Sequence, residues 1–126
     1  MTSSVLDSSA ILAVLNAESG TERAISFFAN GIVSSVNVAE VLTKIVERGQ
    51  DIKTARETFD LLQLEVVDLD YEQAAKAAEL RPLTKHLGLS LGDRSCLALA
   101  LLRDTTAVTA DRDWEKLTVC PVEVIR

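Results

Sequence analysis

The chain has 126 residues and a mass of 13.7 kDa, with 48% hydrophobic, 25% charged and 4% aromatic residues. These values predict one folded domain over residues 1–126, and they exclude disordered and collagen-like classes. Nineteen acidic against 13 basic residues give a net charge of -6, which argues against binding nucleic acid through a broad basic face.

The cysteines and the N-terminal residues bear on where the protein works. Cys96 and Cys120 form no CxxC pair, which excludes zinc-ribbon and thioredoxin-like sites and favours buried thiols in a reducing cytoplasm. The N-terminal segment has no basic stretch and carries Asp7 inside its apolar residues, unlike a signal peptide. No apolar run approaches the roughly 18 residues of a membrane span. The sequence therefore predicts a cytoplasmic protein without a membrane segment.

The first part of the chain predicts two strands and three helices. In chain order they are a strand, two helices, a strand and a helix, at residues 2–6, 8–18, 21–31, 32–34 and 37–49. Gly31 and Gly49 are the expected C-terminal stops of the second and third helices. Asn37 is expected to open the third helix, whose apolar residues recur at helical spacing.

The second part continues the alternation of helices and strands. We predict helices at 51–63 and 71–82, a loop at 83–92, a helix at 93–104, a turn or short helix at 111–117, and strands at 64–70, 105–110 and 122–126. Pro82 is the expected stop of the 71–82 helix. Short apolar strands without period-2 alternation predict a three-layer α/β/α domain with a mostly parallel central sheet.

Four carboxylates follow predicted strands or open predicted helices: Asp7, Glu40, Asp93 and Asp111. In a parallel α/β sheet such positions lie along the carboxyl edge of the strands, where ligands usually bind. Four carboxylates in one cleft raise one another's pKa values unless a cation neutralises them. Oxygen ligands without His or Cys suit Mg²⁺ or Mn²⁺.

Each acid also has a purely structural interpretation. The alternatives are a helix cap at Asp7, capping boxes at Asn37/Glu40 and Ser90/Asp93, and a turn at Asp111. Taken singly, each acid favours the structural role, because acids are common in first helical turns. Their joint placement favours a site, since the helix that begins at Asp93 is almost wholly apolar and an unpaired carboxylate there is costly.

Four short motifs contain these acids in order: VLDSSAIL, SVNVAEVL, LSLGDRSCLALA and VTADRDW. Together they resemble the PIN domain, in particular the small ribonucleases that act as VapC-type toxins of bacterial and archaeal toxin–antitoxin pairs. The resemblance covers the whole chain and implies that the four acids are the catalytic and metal-binding residues. It also implies that Thr109 supports the fourth acid. Asp113 either assists or replaces Asp111 in that role.

The resemblance implies an endoribonuclease that works with Mg²⁺ or Mn²⁺ held by Asp7 and Asp93, one ion or two. An in-line attack by water would leave 5′-phosphate and 3′-hydroxyl ends. Cleavage by two histidines is excluded because His86 is the only histidine, and it is expected to be a loop residue. The resemblance further implies a homodimer and an antitoxin that places a basic side chain in the acidic pocket.

Two groups of residues are candidates for binding RNA and a partner. The segment from residue 76 to 94 is the most basic of the chain, and Arg81, Lys85 and Arg94 either hold RNA phosphates or form a solvated face. The first two helices carry more apolar residues than one buried stripe needs, which indicates either a partner surface or core packing. Trp114 is expected to pack against the sheet edge.

Other functions fit the sequence less well. A receiver-like phosphoacceptor domain has a similar length and an acidic pocket, but Asp7 has no paired acid and the last strand offers no lysine. A PIN-like binding module without catalysis is the other alternative, which the intact set of acids disfavours. No GxGxxG or GxxxxGK[ST] motif is present, so no nucleotide cofactor is expected. A hydrolase triad is excluded by the lack of GxSxG and of a second histidine.

Overall fold

The computed structural model describes residues 2–126. Five strands form one sheet in the order β3-β2-β1-β4-β5. They are Ser4–Leu6 (β1), Gly31–Ser34 (β2), Glu65–Val67 (β3), Thr106–Thr109 (β4) and Val122–Val124 (β5). Every pair of neighbouring strands is parallel, with Val5 opposite Ile32 on one side and Ala107 on the other. The predicted parallel sheet is confirmed. Its order differs from the 2-1-3-4-5 order of flavodoxin-like folds, to which receiver domains belong.

Seven α-helices surround the sheet within residues 2–126. They are Ser8–Leu15 (α1), Thr21–Ile25 (α2), Ser35–Glu47 (α3), Ile52–Asp60 (α4), Tyr71–Glu79 (α5), Arg81–Thr84 (α6) and Leu91–Leu102 (α7). Two short 3-10 helices cover Lys85–Leu87 and Arg112–Lys116. None of the helices in the described part of the chain is long and apolar enough to cross a membrane.

Two apolar clusters, one on each face of the sheet, make up the core. Alternate strand residues point to opposite faces, so Val5 and Ile32 belong to one cluster, and Leu6 and Val33 to the other. The first cluster holds α5, α7 and the fully buried Trp114, and the second holds α1 to α4. This arrangement confirms the three layers. It also confirms the predicted packing role of Trp114.

The central helix α7 is buried along most of its length, as its apolar composition predicts. Cys96 lies inside it, and Cys120 precedes β5; both are buried and free. Most apolar residues of the α1–α2 region are explained by core packing, since Ile11 is buried and Phe27 and Phe28 are half-buried against the second cluster.

Several predicted boundaries were wrong. Gly31 begins β2 instead of ending a helix, and it is a glycine because a Cβ there would lie 2.5 Å from the Leu64 side chain. Pro82 does not stop a helix; it lies in the first turn of α6, where its missing N–H costs nothing. Gly49 does end α3, with a positive φ of 102°.

The predicted loop at 83–92 is largely helical. It contains the end of α6, the 3-10 helix at Lys85–Leu87 and the first two residues of α7. Gly88, with a φ of 66°, ends the 3-10 helix, and Ser90 then caps α7. Helix α7 thus begins two residues earlier than predicted, and Gly92 lies in its first turn.

Candidate active site

Asp7 lies at the carboxyl end of β1, immediately before α1, and is 2% exposed. Its Oδ1 accepts hydrogen bonds from the Ala10 backbone N–H at 2.9 Å and the Ser9 hydroxyl at 2.7 Å. Its Oδ2 accepts from the Thr109 hydroxyl at 2.6 Å. Asp7 is therefore the helix cap that the sequence allowed, and it is also a buried acid held in one orientation by neutral donors.

Burial raises the pKa of Asp7 to about 6, because the ionised carboxylate loses its hydration inside the core. The hydrogen bonds from Thr109, Ala10 and Ser9 act in the opposite direction, and the nearby charge of Asp93 raises the pKa further. Asp7 thus changes charge close to neutral pH. A divalent cation at this carboxylate would favour its ionised form.

Ser9, which was not among the predicted site residues, completes a polar network at the junction of β1 and β4. Its Oγ accepts from the Ala110 N–H at 2.9 Å, while the Thr109 Oγ1 accepts from the Asp111 N–H at 3.1 Å. Two hydroxyls therefore join Asp7 to the chain that follows β4. The local signal for Ser9 is the serine pair that directly follows Asp7 in the sequence.

Glu40 lies in the second turn of α3, since Ser34 caps the helix and Ser35 is its first residue. The proposed capping box at Asn37/Glu40 is therefore wrong. The buried Asn37 amide donates to Glu40 Oε1 at 2.8 Å and to the Gly92 carbonyl at 3.2 Å. Glu40 is thus held where α3 meets the first turn of α7.

Asp93 forms the predicted capping box with Ser90. The Ser90 hydroxyl accepts from the Asp93 N–H at 3.1 Å, and Asp93 Oδ2 accepts from the Ser90 N–H at 2.9 Å. One carboxylate oxygen is thereby engaged with the helix terminus. The side chain is nevertheless close enough to Asp7 for its charge to raise the pKa of that group.

Replacing Ser90 by alanine separates the structural role of Asp93 from its predicted catalytic role. The loss of one helix cap should lower the free energy of unfolding by about 1 kcal/mol. The Asp93 carboxylate remains, so RNA cleavage should fall less than about threefold, which corresponds to well under 1 kcal/mol in the barrier. Urea unfolding and a cleavage assay on the same preparation measure both. A loss of cleavage as large as that of Asp93→Asn would show that the cap itself is needed.

Asp111 and Asp113 both lie on the exposed turn after β4. The Asp111 carboxylate accepts from the Asp113 N–H at 2.9 Å, as the predicted turn requires, and its own N–H is bonded to Thr109. Asp113 instead lies 3.4 Å from Lys116. Asp111 is thus connected to the Asp7 network, whereas Asp113 is paired with a lysine.

The buried thiol of Cys96 lies in α7, the helix whose first turn carries Asp93. Burial raises the pKa of this thiol well above its ordinary value, and the charges of Asp7, Cys120, Asp93 and Glu40 raise it further. Within residues 2–126, however, no three His, Cys, Asp or Glu side chains are grouped closely enough to hold a metal ion as they stand.

The donor chemistry of these side chains nevertheless fits a divalent cation. Asp7 is a buried carboxylate whose hydrogen-bond partners among the described residues are all neutral, and Glu40 is pressed against Gly92, where a Cβ would come within 2.4 Å of its carboxylate. Oxygen donors of this kind suit Mg²⁺ or Mn²⁺. Asp93 would supply its Oδ1 as a further oxygen, because it is Oδ2 that accepts from the Ser90 N–H.

The basic residues predicted to contact RNA differ in their surroundings. Arg94 is half-buried and donates to the Ala77 carbonyl at 2.9 Å, so it joins α7 to the last turn of α5. Arg81 is exposed and lies 3.4 Å from the Leu89 carbonyl. Lys85 and His86 are exposed on the 3-10 helix just before α7.

Comparison with known families identifies the fold. The family model described as the PIN domain matches residues 4–119. The chain belongs to the PIN-domain family. Membership in this family, together with the strand order, excludes the receiver-like alternative. A search among curated proteins finds no match to this PIN domain.

Several solved structures share this PIN fold. A toxin–antitoxin complex from Klebsiella pneumoniae is similar with a TM-score of 0.78 and 19% identity, covering 98% of both chains. DNA-bound VapBC from Salmonella typhimurium has a TM-score of 0.76 and 19% identity over 100% of both chains. VapC20 from Mycobacterium tuberculosis, a Sarcin-Ricin loop cleaving toxin, has a TM-score of 0.72 and 18% identity over 94% of this chain and 100% of that one. At such identities, the similarity is one of fold.

Proposed function

We propose that this PIN domain is a VapC-type toxin, an endoribonuclease that depends on Mg²⁺ or Mn²⁺ and is neutralised by a cognate antitoxin. The main support is the buried Asp7, which lies among neutral donors at the carboxyl edge of the sheet with Asp93 beside it. Such a carboxylate is costly in the protein alone and is stabilised by a cation. The fold is shared with VapC20, a toxin that cleaves RNA in the Sarcin-Ricin loop.

Asp7 and Asp93 would hold the ion, and Glu40 and Asp111 would bind a second ion or orient the attacking water. When bound, the ion lowers the pKa of a water molecule and neutralises charge that builds up on the phosphate. The chain itself supplies orientation: Ser9 and Thr109 keep both oxygens of Asp7 in place. The connection of Asp111 to Thr109 favours it over Asp113 as the fourth acid.

The RNA backbone would lie over the start of α7, with Arg81 and Lys85 near its phosphates. Arg94 would act mainly through its bond to Ala77, which holds the first turn of α7 in place. An enzyme that cuts cellular RNA in this way would work in the cytoplasm. Since the net charge is -6, the affinity for RNA would come from contacts with a few phosphates at the site.

A cognate antitoxin and a homodimer are the proposed protein partners. The structures from Klebsiella pneumoniae and Salmonella typhimurium are toxin–antitoxin complexes of the same fold. On this chain, large apolar side chains of α2 to α4 are exposed, among them Ile25, Val46 and Ile52. Exposed apolar surface of this kind is typical of protein interfaces.

The proposal is tested by cleavage of RNA with purified protein in Mg²⁺ and in EDTA, followed by mapping of the RNA ends. Wild type should produce 5′-phosphate ends only with the metal, and Asp93→Asn should lower the rate by at least about 100-fold, or about 3 kcal/mol in the barrier. Asp104→Asn is a matched control after the other end of α7, at an exposed residue whose φ of 51° also suits asparagine. This control should cleave at the wild-type rate.

Two outcomes would contradict the proposal. One is RNA cleavage that persists in EDTA or in Asp93→Asn. The other is no cleavage in vitro together with unaffected growth when wild type is expressed without an antitoxin, which would favour a non-catalytic PIN-like binding module.

A further inference from the structure

Asn37 is a polar side chain buried between two helices that carry candidate catalytic acids. It is the third residue of α3 and is 1% exposed. Its Nδ2 group donates to Glu40 Oε1 at 2.8 Å and to the Gly92 carbonyl at 3.2 Å. A single amide therefore joins Glu40 to the first turn of α7, one residue before Asp93.

The orientation of the Asn37 amide follows from its neighbours. The Glu40 carboxylate and the Gly92 carbonyl only accept hydrogen bonds, so only the amide nitrogen can face both of them. As a result, the Asn37 Oδ1 is buried without a hydrogen-bond partner in the described chain. A buried polar atom without a partner is unfavourable. The amide nitrogen thus donates to both Glu40 and Gly92, while the amide oxygen is left without a hydrogen bond.

Gly92 limits the position of Glu40 from the other side. A Cβ on Gly92 would lie 2.4 and 2.5 Å from the two carboxylate oxygens of Glu40, much closer than a van der Waals contact. Only glycine leaves room for the carboxylate at this point of α7. The Glu40 side chain is therefore confined between the Asn37 amide and the backbone of Gly92.

We propose that Asn37 is a positioning residue, which fixes the Glu40 carboxylate against the first turn of α7 so that Glu40 stays beside Asp93. The use of this arrangement for a divalent cation rests on the function proposed above. The positioning itself is a property of the metal-free protein, so it is testable without activity. Gly92 has the complementary role of leaving space for the carboxylate.

A double-mutant cycle in EDTA tests the contact directly. Asn37→Asp keeps the shape but brings a carboxylate against Glu40 and the Gly92 carbonyl, so it should lower the Tm by several degrees. In the Glu40→Gln background, the neutral amide introduced at position 40 can donate to the carboxylate introduced at position 37, and the loss in Tm should be at least halved. Additive changes in Tm would overturn the positioning role, because residues that do not interact give additive effects.

The affinity for Mn²⁺ is a measurement that would not change if Asn37 only filled space in the core. Isothermal titration with Mn²⁺ should show a dissociation constant about tenfold higher for Asn37→Leu, which removes the donor without adding a charge, than for wild type, or about 1.4 kcal/mol. Ser35→Ala is the matched control: the Ser35 hydroxyl also joins α3 to another segment, accepting from the Leu69 N–H at 3.0 Å, but has no hydrogen bond to Glu40. Its Mn²⁺ affinity should equal that of wild type.

Gly92→Ala and Asn37→Ser keep the test decisive if Asn37→Asp or Asn37→Leu folds poorly. Gly92→Ala displaces Glu40 while Asn37 is intact, so it should weaken Mn²⁺ binding as Asn37→Leu does. Asn37→Ser keeps one donor and should bind with intermediate affinity. Wild-type Mn²⁺ affinity in both variants would overturn the proposal.

The failure of this inference differs from the failure of the proposed function. If wild type binds Mn²⁺ and cuts RNA while Asn37→Leu does both equally well, the enzyme proposal stands and the positioning role is wrong. If wild type neither binds Mn²⁺ nor cuts RNA, the enzyme proposal is wrong. The positioning role is then judged from the Tm cycle alone. Non-additive changes in Tm at residues 37 and 40 support it, and additive changes overturn it.

Discussion

Replacing Asp7 by asparagine should abolish metal-dependent RNA cleavage and at the same time stabilise the metal-free protein at pH 8. Burial raises the pKa of Asp7 to about 6 from the ordinary value of 3.8, so the ionised carboxylate is unfavourable in the folded state. The corresponding loss of folding free energy above pH 7 is on the order of 3 kcal/mol. Asparagine removes this charge but keeps an acceptor for Ala10 and Ser9, and we expect a net gain of about 1–2 kcal/mol.

The raised pKa of Asp7 determines how the stability of the folded protein changes with pH. Between pH 4 and 6, the folded protein binds more protons at Asp7 than the unfolded chain does, so stability falls as the pH rises. The contribution of protonated Asp7 is complete below about pH 4 and is lost as the pH passes through 6. Asp7→Asn should therefore be more stable than wild type at pH 8 and lose this advantage at pH 4. Urea unfolding in EDTA at several pH values measures the difference.

Asp51→Asn is the matched control for Asp7→Asn. Asp51 caps α4 as Asp7 caps α1, but it is exposed, and its bond from the Thr54 N–H lowers its pKa. Asparagine caps a helix about as well as aspartate, so the control should change neither stability at pH 8 nor cleavage appreciably. Adding Mg²⁺ should raise the Tm of wild type and of Asp51→Asn, but not that of Asp7→Asn. The quantity to compare is the stability of Asp7→Asn minus that of wild type. If this difference were smaller at pH 8 than at pH 4, the account would be wrong.

The parallel sheet and its two covered faces were predictable because their cause is local. Short apolar strands such as Val5–Leu6 lack alternation, which means that both faces are buried. The caps at Asp7 and Ser90 were also predictable, since each precedes an apolar helical run. For Asp7, the observed cap is compatible with the predicted site role, because the cap hydrogen bond orients a carboxylate at the carboxyl edge of the sheet.

The remaining features depend on contacts between distant segments. Position 31 requires glycine because Leu64 and Leu6 leave no room for a side chain, and neither neighbour is close in sequence. The sequence predicts a helix start at Asn37, whereas the cap is Ser34, which also ends β2. The bond from Asn37 to the Gly92 carbonyl spans 55 residues. No periodicity or motif in a single sequence reports such a pair.

The network around Thr109 leads to the second large effect, which is expected for Thr109→Val. The Thr109 hydroxyl is fully buried, donates to Asp7 Oδ2 at 2.6 Å and accepts from the Asp111 N–H at 3.1 Å. Burial raises the pKa of Asp7, and the hydrogen bond from Thr109 lowers it more than the bonds from Ala10 and Ser9 do. Valine has nearly the same shape but no hydroxyl, so the pKa of Asp7 should rise further.

Protons and the metal ion compete for Asp7, so Thr109→Val should need about tenfold more Mg²⁺ for half-maximal cleavage at pH 7. The difference should shrink at pH 9, where Asp7 is ionised in both proteins. Thr109→Ser restores the hydroxyl and should recover the wild-type Mg²⁺ response, whereas Thr106→Val, the same change at the start of β4, should leave it unaltered. Titrations with Mg²⁺ at pH 7 and pH 9 measure all four proteins. If the Mg²⁺ requirement of Thr109→Val were the same as that of wild type at pH 7, the hydroxyl would have no part in preparing Asp7 for the metal, and Thr109 would only fill space beneath the site.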